Sequence, residues 1–263
     1  MPIKKEAKII IMVLLPMFFI SATFTPLSLG KYKLKTVVID AGHGGKDPGC
    51  SGAKAIEKDI ALNVALQLGK QISAAYSDVK VIYTRKTDVF VELHDRAGIA
   101  NKNNADLFIS IHCNSNPKNI YGSETYTMGM HTSENNLSVA KRENSVILQE
   151  DNYLEKYNGF NPNSPLAHIF FANVQSAHIE NSLKFASMVE TQFKVHAGRS
   201  SRGVKQAGFL VLWKTSMPSV LIELGYLTHA AEEKYLNSAA GQNKMADAVF
   251  RAFKQYKKEV EGG

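Results

Sequence analysis

Short apolar runs alternate with longer stretches in which apolar residues recur at four-residue intervals. Leu34 to Asp40, Val79 to Tyr83 and Ala105 to His112 each predict a short buried strand. Between them, Ile60, Val64, Leu68 and Ile72 form one apolar stripe, which predicts a helix from Glu57 to about Ala75. Leu93, Ala97 and Ala100 predict a second helix from Glu92 to Asn103. This β-α-β-α-β rhythm predicts an α/β fold, a central sheet with helices on both faces. Gly122 to Met128 continues it as a strand, with Thr125 and Tyr126 supplying β propensity. The texture then changes. Gly129 to Ala177 is rich in Asn, Ser, Glu and Lys, with one helix expected from Leu137 to about Tyr157 and a turn-rich break at Asn158 to Pro165. A helix from Ala177 to Val195 follows, then strands at Phe209 to Trp213 and Ser219 to Leu224. Met245, Val249 and Phe253 mark a closing helix from Gln242 to Lys257. No internal repeat or long linker interrupts the pattern.

Four polar residues sit where this pattern puts the ends of strands and helices. His43 follows the first strand inside Gly42-His43-Gly44-Gly45, where small neighbours allow a tight turn and leave room around the ring. Glu57 opens a helix, where a carboxylate is favourable for the helix terminus alone. His112 ends the apolar run Leu107 to Ile111. Glu223 lies within Val220 to Leu224, a hydrophobic segment in which an unpaired charge would be costly; a buried ion pair is its structural alternative. The carboxyl edge of an open α/β sheet is where such folds carry chemistry. Two neutral imidazoles and a carboxylate supply three ligands to divalent zinc, leaving a fourth position for water or a carbonyl oxygen. Glu223 is placed to move a proton. The glycine-rich loop lacks the lysine pattern of a phosphate-binding loop, and no H-E-x-x-H is present.

The amino terminus adds a compartment. Lys4, Lys5 and Lys8 precede the apolar run Ile9 to Ile20, and Ser21, Ala22 and Thr23 follow, so residues 1–29 read as a secretory signal. The run is shorter than the roughly 20 residues of a membrane span, and Pro16 weakens it further. An uncleaved anchor is the alternative. The remainder, 30–263, is expected to be one catalytic domain in the periplasm or another extracytoplasmic wall compartment. The 263 residues carry 44% hydrophobic and 21% charged side chains, enough for a proper core. Their net charge of +7 suits a polyanionic surface as well as plain solubility. The basic residues are scattered and no nucleic-acid reader accompanies them, so nucleic acid is not an expected partner. Cys50 and Cys113 leave a disulfide open, although Cys113 follows His112 on a strand and so points to the opposite face.

Taken in order, Val38 to Gly49 (VIDAGHGGKDPG), Glu57 to Leu62 (EKDIAL), Ser110 to Asn114 (SIHCN), Arg202 to Lys205 (RGVK) and Met217 to Tyr226 (MPSVLIELGY) resemble the zinc-dependent N-acetylmuramoyl-L-alanine amidases of the amidase 3 family. The resemblance implies a mixed central sheet with helices on both faces, one catalytic Zn2+ held by His43, Glu57 and His112, and Glu223 as the catalytic carboxylate. It implies hydrolysis of the amide between N-acetylmuramic acid and L-alanine in peptidoglycan, for wall remodelling or daughter-cell separation. A zinc peptidase cutting wall cross-links and a non-enzymatic wall-binding protein are the competing readings. Val139 to Asn144 (VAKREN) resembles the start of the insertion in division-associated members, so 129–177 is expected to be a regulatory insertion. Relatives place an acidic residue of that insertion on the zinc; Glu150 and Glu155 are candidates here, neither aligned clearly enough to claim. A protein activator acting on the insertion, and a monomeric enzyme, complete the expectation.

Overall fold

The computed structural model describes residues 32–130, 133–172 and 177–263. The predicted export signal, 1–29, lies outside the described residues. The first half of the chain alternates as its pattern requires: β1 (Thr36–Ala41), α1 (Glu57–Ala75), β2 (Lys80–Tyr83), α2 (Leu93–Lys102) and β3 (Leu107–Asn114). β4 (Ser123–Met128) leads into α3 (Glu134–Asn144), a 3-10 turn (Ser145–Gln149), α4 (Tyr153–Lys156) and α5 (Pro165–Ala172). Then come α6 (Ile179–Val195), β5 (Ser201–Ala207), α7 (Leu210–Trp213), β6 (Ser219–Tyr226), α8 (Ala230–Leu236) and α9 (Ala239–Val260).

The strands form one six-stranded sheet in the order β2-β1-β3-β6-β4-β5. β1 pairs in parallel with β2 and β3, and β3 with β6. β4 runs antiparallel to β6 and parallel to β5, so the sheet is mixed. β3 and β6 are buried along their whole length, which is why they read as near-continuous apolar runs. One face carries α1, α6 and α9, whose Leu68, Phe185, Phe193, Val249 and Phe253 share a core with Ile39, Ile109 and Ile222. The other face joins Val38, Phe108, Tyr126 and Leu221 to α2, α7 and the segment that follows β4. From that segment Val139, Ala140, Val146, Ile147, Tyr157 and Phe160 are buried.

Three expectations are corrected. Phe209 to Trp213 is not a strand: residues 210–213 form α7, because a short apolar run fits a buried helical turn as well as a strand. The strand is instead Ser201–Ala207, an edge strand of partly exposed polar residues with no hydrophobic alternation to reveal it. The helix expected from Leu137 to Tyr157 breaks at Asn144. That side chain donates to Gly208 O at 2.7 Å and accepts from Leu210 N at 2.8 Å, an alternative to helical hydrogen bonding. Asn152, in the left-handed region at φ 54°, separates the 3-10 turn from α4.

Candidate metal centre

The end of β1 is forced into a tight turn. His43 takes a left-handed φ of 60°, a conformation that non-glycine residues adopt at some cost. Two buried arginines hold it there. Arg85 donates to Gly42 O at 2.7 Å. Arg96 donates to Ala41 O at 2.7 Å and His43 O at 2.9 Å, and pairs with Asp40 at 2.8 Å. The hydroxyls of Ser110 and Thr84 also donate to Asp40, each at 2.6 Å. Burial raises the Asp40 carboxyl, but Arg96 and these hydroxyls outweigh it and hold the group below its ordinary value.

On β3, a register shift between His112 and Asn114 interrupts pairing with β6. Bulges of this kind re-aim side chains. Gly42 accommodates the His112 ring: a Cβ at Gly42 would lie 2.4 Å from that ring. Glu57 enters from the first turn of α1. Its Oε1 accepts from Cys113 N at 2.8 Å and its Oε2 from Cys50 N at 2.7 Å, which fixes the carboxylate between the end of β3 and the glycine-rich loop. Asp47 Oδ2 lies 2.7 Å from His43 Nδ1 and turns the Nε2 of that ring inward. Both cysteines are free, and the Cys50 thiol donates to Cys113 O at 3.2 Å.

His43, Glu57 and His112 therefore converge as the sequence pattern expects, and a fourth side chain joins them. It is Glu143, from the last turn of α3. His43 Nε2 lies 3.0 Å from Glu57 Oε1 and 3.2 Å from Glu143 Oε2. His112 Nδ1 is 3.1 Å from each of those two oxygens and 3.1 Å from His43 Nε2. Four donors about 2.0 Å from one zinc ion in a tetrahedron stand roughly 3.3 Å apart. The observed edges fit that ion. Glu143 Oε2 is buried without a hydrogen-bond donor, a group that a cation at the centre of the cluster would satisfy. The imidazoles report the same field. Burial pushes both down, yet the surrounding carboxylates raise His112 to about 9 and His43 well above its usual value. Glu57 is also buried, and the facing imidazoles hold its carboxyl far below the ordinary range against the opposing charge of Glu143. The cluster is thus a buried two-histidine, two-glutamate arrangement consistent with a single metal ion.

The profile of the N-acetylmuramoyl-L-alanine amidase family (Amidase_3) matches residues 37–255. The chain belongs to this amidase family. Over 239 residues it is 31% identical to the amidase AmiC of Escherichia coli O6:H1, a match covering 88% of this chain and 55% of that one. It is 33% identical over 221 residues to AmiA of Escherichia coli K12, covering 82% of this chain and 73% of the relative. The catalytic domain of the amidase CwlV from Bacillus (Paenibacillus) polymyxa superposes with a TM-score of 0.62 at 29% identity, over 84% of this chain and 97% of that domain. Amidases of this family hydrolyse the amide between N-acetylmuramic acid and L-alanine in peptidoglycan, an extracytoplasmic polymer. The buried cluster is geometrically consistent with a single catalytic metal ion for that reaction.

Glu223 lies beside the cluster in register with His112 on one side and with Glu124 of β4 on the other. Its Oε2 is buried without a hydrogen-bond partner, and Oε1 is 3.5 Å from Arg142 Nη2. Burial and the negative charge of Glu143 raise the Glu223 carboxyl well above its usual value, against the pull of Arg142. Arg142 also donates to Ser115 O at 3.2 Å and Asn114 Oδ1 at 3.1 Å, and pairs with Glu143 Oε1 at 2.9 Å. Glu150 and Glu155, the acidic candidates drawn from the sequence, are elsewhere. Glu150 accepts from Leu93 N and Tyr157 OH, both at 2.8 Å, and Glu155 is exposed. The sequence did carry a signal for Glu143. It follows Val139 by four residues and Ala140 by three, which puts a carboxylate on the buried face of α3.

Proposed function

We propose that the chain is a zinc amidase held in a closed state by its own insertion. His43, Glu57 and His112 are the resident ligands, and Glu143 takes the fourth position that the hydrolytic water needs. The single observation that carries this reading is the Glu143 carboxylate within the metal cluster, with Arg142 beside it on Glu223. Zinc, when bound, supplies Lewis acidity that acidifies water and draws charge from the scissile carbonyl. The chain's own residues do the rest. Asp47 fixes the tautomer and orientation of His43, while Cys50 N and Cys113 N fix Glu57. Glu223 accepts the proton of the attacking water and returns it to the leaving nitrogen of L-alanine, so the amide bond breaks with the proton balance closed.

Opening requires α3 to withdraw. A protein activator achieves this only by binding the open arrangement better than the closed one. Leu148, Leu154 and Leu166 supply exposed apolar side chains on the insertion for such a partner. The insertion spans 129–177 in this reading, residues 30–263 act as one catalytic domain, and the enzyme works as an exported monomer in wall remodelling or daughter-cell separation. Digestion of purified wall sacculi tests the chemistry. Release of intact stem peptides beginning with L-alanine, abolished by a chelator and restored by zinc, is the expected result. Products cut only within peptide cross-links would replace the amidase by a peptidase.

A further inference from the structure

Two crevices flank the point where α3 plugs the metal cluster, and they differ in charge. On the side of the glycine-rich loop, a crevice of about 250 Å³ is lined by Pro48, Gly49, Cys50 and Gln149, with Asp47 and Arg142 as its charged groups. Both are already engaged, Asp47 with His43 and Arg142 with Glu143 and Glu223. On the other side, an open groove of about 690 Å³ runs between β5 and the start of α3, past Asn116 and Lys118. Its wall on β5 is basic: Arg202 and Lys205.

Those two cations converge on one buried carboxylate, Glu124. Arg202 Nε lies 2.7 Å from Glu124 Oε1, and Lys205 Nζ binds the same oxygen. Glu124 does not need both. It also accepts from Tyr126 OH at 2.7 Å, Tyr226 OH at 2.8 Å and Asn114 Nδ2 at 3.3 Å. Two positive charges against one negative leave an excess on the groove wall, and Lys118 adds to it. A guanidinium has five N–H donors, and the contact to Glu124 uses Nε, while the Arg202 side chain remains 36% exposed. The acidic side chain that lines the groove is Glu134, on α3, which leaves when α3 withdraws.

The β5 wall is linked to the site through β4 and β6. Glu124 is the register partner of Glu223, and the Asn114–Ser115 backbone that Arg142 touches leads directly to Asn116 on the groove. The bond cleaved by an amidase has unlike halves. The muramyl side presents hydroxyls and an acetamide without charge, whereas the peptide stem carries carboxylates. A fixed guanidinium and ammonium at one end of the site match the second half.

We infer that the β5 wall of this groove, which stays in place when α3 withdraws, is the peptide-stem subsite, in which Arg202 and Lys205 receive a stem carboxylate. This rests on the amidase reading and adds the polarity of substrate binding: stem toward β5, sugar toward the glycine-rich loop. It makes Arg202 and Lys205 specificity residues that act on substrate binding rather than on the chemical step.

The test compares synthetic muramyl-peptides whose stem carboxyls are free or capped as carboxamides, using the full chain loaded with zinc. Hydrolysis should show a KM about tenfold lower for the free acid, with kcat nearly equal, the size expected for one charge-assisted contact. Calorimetry with the corresponding free stem peptides should show the same preference in Kd, and this readout does not depend on turnover. Arg202→Gln should reduce the preference to about twofold or less, and Arg202→Lys should retain part of it. Equal binding and equal KM for acid and carboxamide in the unmodified chain would overturn the subsite, with no variant required. Failure of both the intact chain and a zinc-loaded Glu143→Ala chain to cleave either substrate, while the acid preference in binding persists, would instead count against the amidase reading alone.

Discussion

At the scale of single residues, the centre depends on side chains brought closer than ordinary packing allows. Gly42 shows this most simply. A Cβ there would meet the His112 ring at 2.4 Å, and the ring has backbone on one side and Glu143 on the other. Gly42→Ala should therefore displace His112 and lower zinc affinity by about 10- to 100-fold, the range seen when support around a ligand is lost. Zinc titration with a competing chelator measures it; unchanged affinity would show that the ring has room to move. Glu223 makes the opposite prediction. Its carboxylate is not among the clustered donors, and its Oε2 is an unpartnered buried acceptor. Glu223→Gln should keep zinc stoichiometry and fold while reducing hydrolysis by about 10²-fold or more. Near-normal turnover by a zinc-loaded variant would remove Glu223 from the chemistry.

At the scale of elements, α3 carries both the fourth donor and the clamp on Glu223. It is secured by burial of Val139 and Ala140 and by the Ser133 cap, which accepts from Asn136 N at 3.2 Å. Removing the whole insertion would uncover Phe108, Tyr126, Met128 and Leu221, which share its core. Point substitutions are the cleaner probe. Arg142→Ala should release Glu223 and loosen α3, raising basal hydrolysis by about fivefold if the contact contributes about 1 kcal/mol to closure; a rate assay on sacculi reads this, and a fall in rate would reverse the assignment.

How much of this was legible in the sequence differs by element. α1 begins and ends where its apolar stripe predicts, at Glu57 and Ala75, because one face is buried along its whole length. β1, β3 and β6 were also legible, being largely apolar runs that are buried along nearly their whole length. β5 was hidden because an edge strand that faces a groove keeps polar residues, among them Arg202 and Lys205. α3 was recognised as a helix, but it starts earlier than Leu137, at Glu134, and ends at Asn144, whose side chain binds the 208–210 backbone. His43 and His112 stood where apolar runs stop and Glu57 where a helix begins, and the family resemblance joined them as one set; Glu143 was not picked out, because its role depends on docking of α3 across the sheet.

At the scale of the whole molecule, a buried ionic layer beneath His43 couples the site to stability. Asp40 and Arg96 are 0% and 1% exposed. Because the Asp40 carboxyl is held below its ordinary value in the folded state, its contribution is present above about pH 3.9 and is lost as pH falls through the folded value. Arg96→Met would leave that carboxylate buried without its cation and should destabilise the fold by about 3–5 kcal/mol at pH 7. The difference from the unmodified chain should shrink as pH is lowered and Asp40 protonates; urea denaturation at pH 7 and pH 4 checks both the size and the sign. On the proposed reading, the sheet, the buried arginines and α3 make up an enzyme complete at its metal centre but closed by its own Glu143. That claim is tested most directly by comparing basal wall hydrolysis of the intact chain and of Glu143→Ala, both saturated with zinc and both shown to be folded. The account predicts a rise of about tenfold or more for the variant, as expected if closure is favoured by at least 1.4 kcal/mol. A folded, zinc-loaded Glu143→Ala enzyme no more active than the intact chain would contradict it.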